Sequence, residues 1–282
     1  MSHLTIARNR VDLGIHLKIW REAGKNIALV PTMGALHSGH MALVELAKQH
    51  ADHVVTSIFV NPTQFGPNED LDRYPRQETE DCAKLKAIGC DLLYAPSLEE
   101  LYPAGFQTRI EPGAIAQRLE GSFRPHFFSG VATVVAKLFL QVAPDVAIFG
   151  EKDWQQVQVV SSMVKDLDIP VTIVTAPTIR DPDGLALSSR NAYLSLKERA
   201  LAPRLKAALD HLATQIRKNP TGFAASVEAT KRDLLKAGFS AIDYLECCHS
   251  MTLAPWRPGD PARLLVAAWL GKTRLIDNIG ID

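Results

Sequence analysis

Cysteine is scarce and unpatterned: the four residues at 82, 90, 247 and 248 form no C-x-x-C pair and no Cys/His spacing suited to zinc. That rules out a disulfide framework or a structural zinc centre as the basis of the fold, and points to a reducing, cytoplasmic setting. Charge of one sign is not in excess, because 31 Lys and Arg balance 31 Asp and Glu. Coating nucleic acid or an anionic membrane needs a large basic surplus, so neither partner is expected, though a local basic site stays open. No apolar run is clean enough for a bilayer span. The nearest, residues 131–150, contains Lys137, Gln141, Pro144 and Asp145 and reads as a buried helix followed by a strand. The opening stretch MSHLTIARNRVDLG lacks the apolar core of a secretory signal. The dinucleotide fingerprint G-x-G-x-x-G does not occur.

What is present is a chain of 282 residues, 46% apolar and 22% charged, ordinary for a globular enzyme or binding protein. At roughly 150 residues per domain the length suggests about two domains. The first two-thirds alternate β-branched runs with helix-period segments. Strands are expected at 26–32, 52–60, 91–96, 145–150 and 170–177, and helices near 40–50, 77–88, 131–142 and 154–167. Gly89 is placed to end the second helix, and Ser97 with Glu100 forms a capping box for a short one. Strands separated by helices imply parallel pairing, hence an open α/β sheet. Beyond about residue 180 the pattern changes. A Ser195–Glu198 capping box opens a helical stretch to Lys218 that Pro203 should kink or restart. A helix to Gly238 follows, then strands at 242–248, 264–270 and 274–281, making an α+β unit. The expected domains are residues 1–178 and 179–282.

Four segments carry chemistry. PTMGALHSGH, residues 31–40, leaves a strand, turns at Gly34 and enters a helix at Ser38–Gly39–His40. In an open α/β sheet, ligands sit beyond the carboxyl ends of strands, and a helix starting there offers N–H groups and a positive dipole end to a phosphate. His37 and His40, three apart, fall on one side and can meet phosphoryl oxygens either as protonated groups or as neutral donors. A P-loop is ruled out by His40–Met41 where Lys and Ser/Thr belong, and no H-E-x-x-H or nearby carboxylate completes a metal site. The plain alternative is a pair of capping histidines. In FVNPTQFGPNEDLDRYPR (59–76), Gln64 at a strand end can recognise hydroxyl and carboxylate groups, or the segment is simply a polar turn. FGEKDWQQ (149–156) places Lys152, a mobile cation, near Asp153 and Gln156, or else a solvated helix start. RDPDGLALSSRN (180–191) sets two serines and an arginine after a glycine turn, able to clamp phosphate or merely to link domains.

Taken together, PTMGALHSGH, SIFVNPTQF (57–65), DLDRYPR (70–76), FGEKDWQQ and DGLALSSRN (183–191), closed by LVAAWLGKTRLIDN (265–278), resemble the motifs of the pantothenate synthetase (pantoate–β-alanine ligase) family in order and spacing, over essentially the whole chain. HSGH is also similar to the H-x-G-H signature of the wider nucleotidyltransferase superfamily. The resemblance implies a Rossmann-like N-terminal domain with a smaller α+β C-terminal lid, and a homodimer. It implies an ATP- and Mg²⁺-dependent reaction: pantoate and ATP form pantoyl adenylate and pyrophosphate, then β-alanine displaces AMP. Carried over by position, ATP would meet Met33, Gly34, Ala35, Leu36, His37, Ser38, Gly39 and His40, then Gly150, Glu151, Lys152 and Asp153, and finally Ile179, Leu187, Ser188, Ser189 and Arg190. His40, His37 and Lys152 would be catalytic, with His40 the proton-donating phosphate stabiliser. Gln64 and Gln156 would hold pantoate, with Gln64 also near β-alanine. The Mg²⁺ ligands are not implied.

One departure stands out. After Leu119–Glu120–Gly121 the family reads Arg-Pro-x-His-Phe, whereas this chain reads Arg124–Pro125–His126–Phe127–Phe128. His126 is either re-aimed into the site or a surface residue beside a larger apolar contact. Two other functions compete: a nucleotidyltransferase of the superfamily acting on another small acid or a phosphorylated acceptor, and a nucleotide sensor without turnover.

Overall fold

A computed structural model describes residues 4–67 and 69–281. The N-terminal part runs β1 (Thr5–Ala7), α1 (Arg10–Glu22), β2 (Ile27–Thr32), α2 (Ser38–His50), β3 (His53–Ile58), α3 (Glu78–Ile88), β4 (Leu92–Tyr94), α4 (Leu98–Leu101), α5 (Glu120–Phe123), α6 (Phe127–Val142), β5 (Val146–Gly150), α7 (Trp154–Asp166) and β6 (Thr172–Ala176). All strand pairings in this sheet are parallel, in the order β1-β4-β3-β2-β5-β6. The expected open α/β sheet is therefore present. β1 and α1 are not among the expected elements: three residues are too few for alternation to register in β1, whereas α1 does carry a helical period, with Leu13, Leu17 and Trp20 facing the core.

Both faces of the sheet are covered. Leu13 and Leu17 of α1 pack with α6 and α7 on one side, while Val44, Ala47 and Leu85 of α2 and α3 pack on the other. An aspartate just before each of three strands anchors a neighbour. Asp52, Asp91 and Asp145 accept the backbone N–H of Asn26, Val54 and Ile27 at 3.0, 2.8 and 2.7 Å. These charge-assisted bonds hold the amino ends of the central strands in register.

The direction of winding reverses between β2 and β5: β3 and β4 lie to one side of β2, β5 and β6 to the other. Connections leaving two adjacent strands on opposite sides open a crevice at their carboxyl ends, the usual ligand position in such sheets. The histidine segment and the Lys152 segment leave those two ends.

The C-terminal part runs α8 (Leu196–Leu201), α9 (Arg204–Lys218), α10 (Phe223–Ala237), β7 (Ala241–His249), β8 (Ala262–Leu270) and β9 (Thr273–Ile281). The three strands form an antiparallel sheet packed on α9 and α10 through Leu209, Leu212, Leu264 and Val266. Pro203 separates α8 from α9, as its missing N–H requires. The Ser195–Glu198 capping box is complete, but that of Ser97 is only half formed. Ser97 accepts from the Glu100 N–H, whereas the Glu100 carboxylate accepts from the Arg10 N–H at 3.0 Å and so ties α4 to α1. Among the described residues no helix is long and apolar enough to cross a membrane.

Candidate functional site

At the end of β2, Thr32 turns its hydroxyl to accept the Gly34 N–H at 3.2 Å, beginning a tight left-handed turn with φ of +81° at Gly34 and +52° at Ala35. A side chain at Gly34 would start 3.1 Å from Ile58, so both the dihedral and the space call for glycine. The Asp81 carboxylate, on α3 and fully buried, accepts the next two N–H groups, from Ala35 and Leu36, at 2.8 Å each. Lys84 donates to the Leu36 carbonyl at 2.8 Å. The turn is thus held from behind by a charged residue one helix away.

α2 opens with a reciprocal capping box made of two histidines. His37 Nδ1 accepts the Gly39 N–H at 3.1 Å, and His40 Nδ1 accepts the His37 N–H at 3.2 Å. The ring centroids are 4.1 Å apart. A Cβ at Gly39 would sit 2.9 Å from the His37 ring, so glycine is what allows the ring to fold over the helix start. Burial, and then the charge of Lys152, pull the His37 pKa down to about 4. Burial, His37 and Lys152 bring that of His40 to about 3. Of the two states open from sequence, the structure selects the neutral one. With Nδ1 accepting on both rings, the tautomer inferred from these bonds carries its proton on Nε2. The capping role and an outward donor are therefore compatible in the same side chain.

The second arm leaves β5. Gly150 leads into a turn, Glu151–Asp153, that continues as α7. Lys152 Nζ lies 3.5 Å from the half-exposed carboxylate of Asp153. The third arm crosses from the C-terminal part: the Leu187 N–H donates to the Ile179 carbonyl at 3.0 Å, and Ser188 Oγ accepts the Arg190 N–H at 3.3 Å. Arg190 meets Asp70 through two bonds of 3.0 and 2.8 Å, and Tyr74 Oη lies 3.2 Å from Ser189 Oγ. Burial raises the Asp70 carboxyl, but the bond and charge of Arg190 outweigh it and hold it below the usual range.

These arms wall one cleft of about 1410 Å³. Met33, His37, Gly39, His40, Gly150, Lys152, Asp153, Ile179 and Leu187–Arg190 line it. Gly34, Ala35 and Leu36 lie buried in the turn behind the wall. Ser38 is exposed outside the lining, and the Glu151 carboxylate is engaged by Arg263 at 2.9 Å. Gln64 and Gln156 line the same cleft, over an apolar wall that includes Phe59, Val131, Val134 and Phe149. Gln64 is buried, its Nε2 3.0 Å from Met33 Sδ and its Oε1 accepting from Asn61 at 3.1 Å. His126, at the start of α6, is exposed and makes no capping bond but borders the same cleft, while the Phe127 ring centroid lies 3.9 Å beneath the Arg124 guanidinium. Arg124 also donates to Glu69 at 2.7 Å and to the Gln64 carbonyl at 3.1 Å. At position 127 this chain thus has a ring stacked under an arginine that braces the Gln64 loop. Among the described residues no three His, Cys, Asp or Glu side chains converge to hold a metal ion.

The model of the family described as pantoate-beta-alanine ligase matches residues 5–280. The chain belongs to that family. A pantothenate synthetase of Mesorhizobium japonicum is 52% identical over 281 residues, covering 100% of this chain and 99% of the relative. The crystal structure of pantothenate synthetase from Thermus thermophilus superposes with a TM-score of 0.88 at 46% identity, covering 98% of this chain and 99% of that one. A pantoate-beta-alanine ligase from Francisella tularensis, 36% identical with a TM-score of 0.81 over 99% of this chain and 98% of its own, was crystallised with beta-gamma ATP and beta-alanine.

For this pantoate-beta-alanine ligase family member, several residues that line or support the cleft are given no role by motif reading. Asn61, read as a turn residue, is buried and orients Gln64 while accepting from Tyr102 Oη at 3.0 Å. Asp70, Asp81 and Glu69 act across gaps of 45 to 120 residues, so that even where a motif contains them, as with Asp70, their partners cannot be read locally.

Proposed function

We propose that this cleft joins pantoate to β-alanine at the expense of ATP, through a pantoyl-adenylate intermediate. The observation that carries the reading is the convergence, at the switch point of the sheet, of three phosphate-suited arms with a pair of glutamines over an apolar wall. A carboxylate does not react with an amine because its leaving group is poor, and adenylation remedies that. In the first step a pantoate carboxylate oxygen attacks the α-phosphorus, the bond to the bridging oxygen breaks, and pyrophosphate departs with the electron pair. Negative charge grows on phosphoryl oxygens, so the need is for preorganised donors rather than a covalent nucleophile. His37 and His40 present neutral Nε2–H groups at a helix start, Lys152 supplies a cation, and Ser188, Ser189 and Arg190 close from the opposite side. Gln64 and Gln156 hold the hydroxyl and carboxylate groups of pantoate, with its methyl groups against the apolar wall. In the second step the β-alanine amine, beside Gln64, attacks the acyl carbon, AMP leaves with the electron pair, and the amine proton is lost to solvent.

Mg²⁺ on the triphosphate would neutralise charge on the departing pyrophosphate. Among the described residues no cage of three His, Cys, Asp or Glu ligands forms, which fits an ion that keeps most of its waters, and the half-exposed Asp153 beside Lys152 is one lining carboxylate that would be available to it. We further propose a domain boundary near residue 178, with residues 179–282 as the lid, a cytoplasmic location where ATP is available, and a homodimer. The exposed apolar stripe of Val11, Ile15 and Ile19 on α1, beside Leu140 of α6, supports the homodimer.

The test is an omission series with ATP, Mg²⁺, pantoate and β-alanine. Pyrophosphate release should require pantoate but not β-alanine, and AMP release should require all the substrates. Pantoate-dependent pyrophosphate with no later β-alanine-dependent AMP would favour a nucleotidyltransferase, and no product at all a sensor.

A further inference from the structure

The closing motif RLIDN, residues 274–278, lies on β9 of the C-terminal sheet, yet its last two residues reach both cationic arms of the cleft. Asn278 is buried, 4% exposed, and its amide nitrogen donates to two successive carbonyls, Glu151 at 2.9 Å and Lys152 at 2.8 Å. Both amide hydrogens are thereby used to fix the turn from which the Lys152 side chain projects. Arg263 of β8 reinforces the grip. Its guanidinium stacks 3.6 Å from the Trp154 ring and bonds the Glu151 carboxylate at 2.9 Å.

Asp277, on the opposite face of the strand as its alternation requires, is equally buried. It takes the Arg180 guanidinium through two bonds of 2.7 and 2.8 Å, and Arg180 also donates to the Gly184 carbonyl at 3.1 Å. That fixes the hairpin from which Leu187, Ser188, Ser189 and Arg190 emerge. The Asp277 carboxylate accepts the Asn278 N–H at 2.8 Å, joining the two grips.

We propose that Asn278 is a positioning residue for Lys152, and that Asp277 plays the same part for the Ser188–Arg190 arm. Two consecutive residues of one strand thus set the spacing of the groups that receive charge in the adenylation step. This rests on the ligase reading above. The two carbonyls lie on either side of the Lys152 Cα, which ties the position of that side chain directly to Asn278. A misplacement of about 1 Å can lower a rate by as much as ~10²-fold, which sets the size of the effect to look for.

The experiment is a double-mutant cycle on pantoate-dependent pyrophosphate release at saturating ATP, using full-length wild type, Asn278→Ala, Lys152→Ala and the double variant. Asn278→Ser, which keeps one donor, serves as the milder version should alanine fail to fold. We expect Asn278→Ala to lower kcat by roughly 10- to 10²-fold with the KM for ATP changed less than about threefold. The same substitution on Lys152→Ala should cost less than about twofold, and serine should fall between alanine and wild type. An equal loss in both backgrounds, or no loss in a folded Asn278→Ala protein, overturns the proposal while leaving the ligase reading intact. A wild type inert with pantoate overturns the ligase reading and this proposal with it.

Discussion

Replacing Asp81 by alanine perturbs the site without touching anything that faces the cleft. The carboxylate is 1% exposed and accepts two backbone N–H bonds at 2.8 Å, from Ala35 and Leu36. Truncation leaves both donors buried and unpaired, at about 1–3 kcal/mol each, and removes a negative charge from the first turn of α3, worth roughly 0.3–1 kcal/mol. The sum is about 2–5 kcal/mol, since the freed turn recovers part of its hydration. At roughly 2–4 °C per kcal/mol for a protein of this size, Tm should fall by roughly 4–20 °C. Asp81→Asn keeps one acceptor and should lose about half as much. The assay is thermal unfolding followed by circular dichroism on the ligand-free protein, with ATP affinity measured alongside, because the turn that carries His37 loses its support. An alanine variant within about 0.5 kcal/mol of wild type would refute the reasoning, since it would mean that the turn holds its left-handed conformation unaided.

Three further outcomes are expected. His40→Ala should slow adenylate formation by roughly 10²–10³-fold while ATP binding changes little, whereas a loss of binding alone would contradict a transition-state role. Because the pKa values of His37 and His40 in the free protein lie at about 4 and about 3, kcat/KM for ATP, which reports the free enzyme, should show no imidazole limb between about pH 5.5 and 8. The unfolded chain, with ordinary histidines near 6.5, binds more protons than the folded one between those values. Stability should therefore rise with pH through that window and be lost as pH falls toward 4. A rate limb centred near 6.5 that vanishes in His40→Gln would contradict the neutral assignment. Gln64→Ala should raise the KM for pantoate by roughly 10- to 10²-fold with Tm nearly unchanged, and normal pantoate kinetics would remove Gln64 from the site.

The legible part of the site is the part encoded by short spacing. Gly34, His37, Gly39 and His40 sit within seven consecutive residues. A strand, a left-handed turn and a helix start leave few ways to arrange them, so the paired rings can be anticipated. Lys152 and Ser188–Arg190 are readable as isolated cations and hydroxyls after turns, and their order along the chain carries the family resemblance. The ionisation of the cleft is not readable. A sequence shows two histidines, a lysine and an arginine and suggests a cationic site, yet both rings are neutral and Arg190 already has a carboxylate partner in Asp70. The supporting residues are hidden for a related reason. Asn61, Asp81 and Asn278 are ordinary polar residues whose importance comes from burial and from a partner across the fold, and neither leaves a periodic trace. The short edge strand β1 is invisible because three residues cannot show alternation, and the Ser97 capping box stays half formed because Glu100 has a better partner in the Arg10 N–H.

The proposed reaction turns on one event, the attack of the pantoate carboxylate on the α-phosphorus of ATP. The most direct test is to run the complete reaction with pantoate labelled with ¹⁸O in its carboxylate and to analyse the phosphorus products by mass spectrometry. Attack at the α-phosphorus predicts that each AMP carries one ¹⁸O and that pyrophosphate carries none. Label in inorganic phosphate with ADP as the product, or AMP free of label, would contradict it.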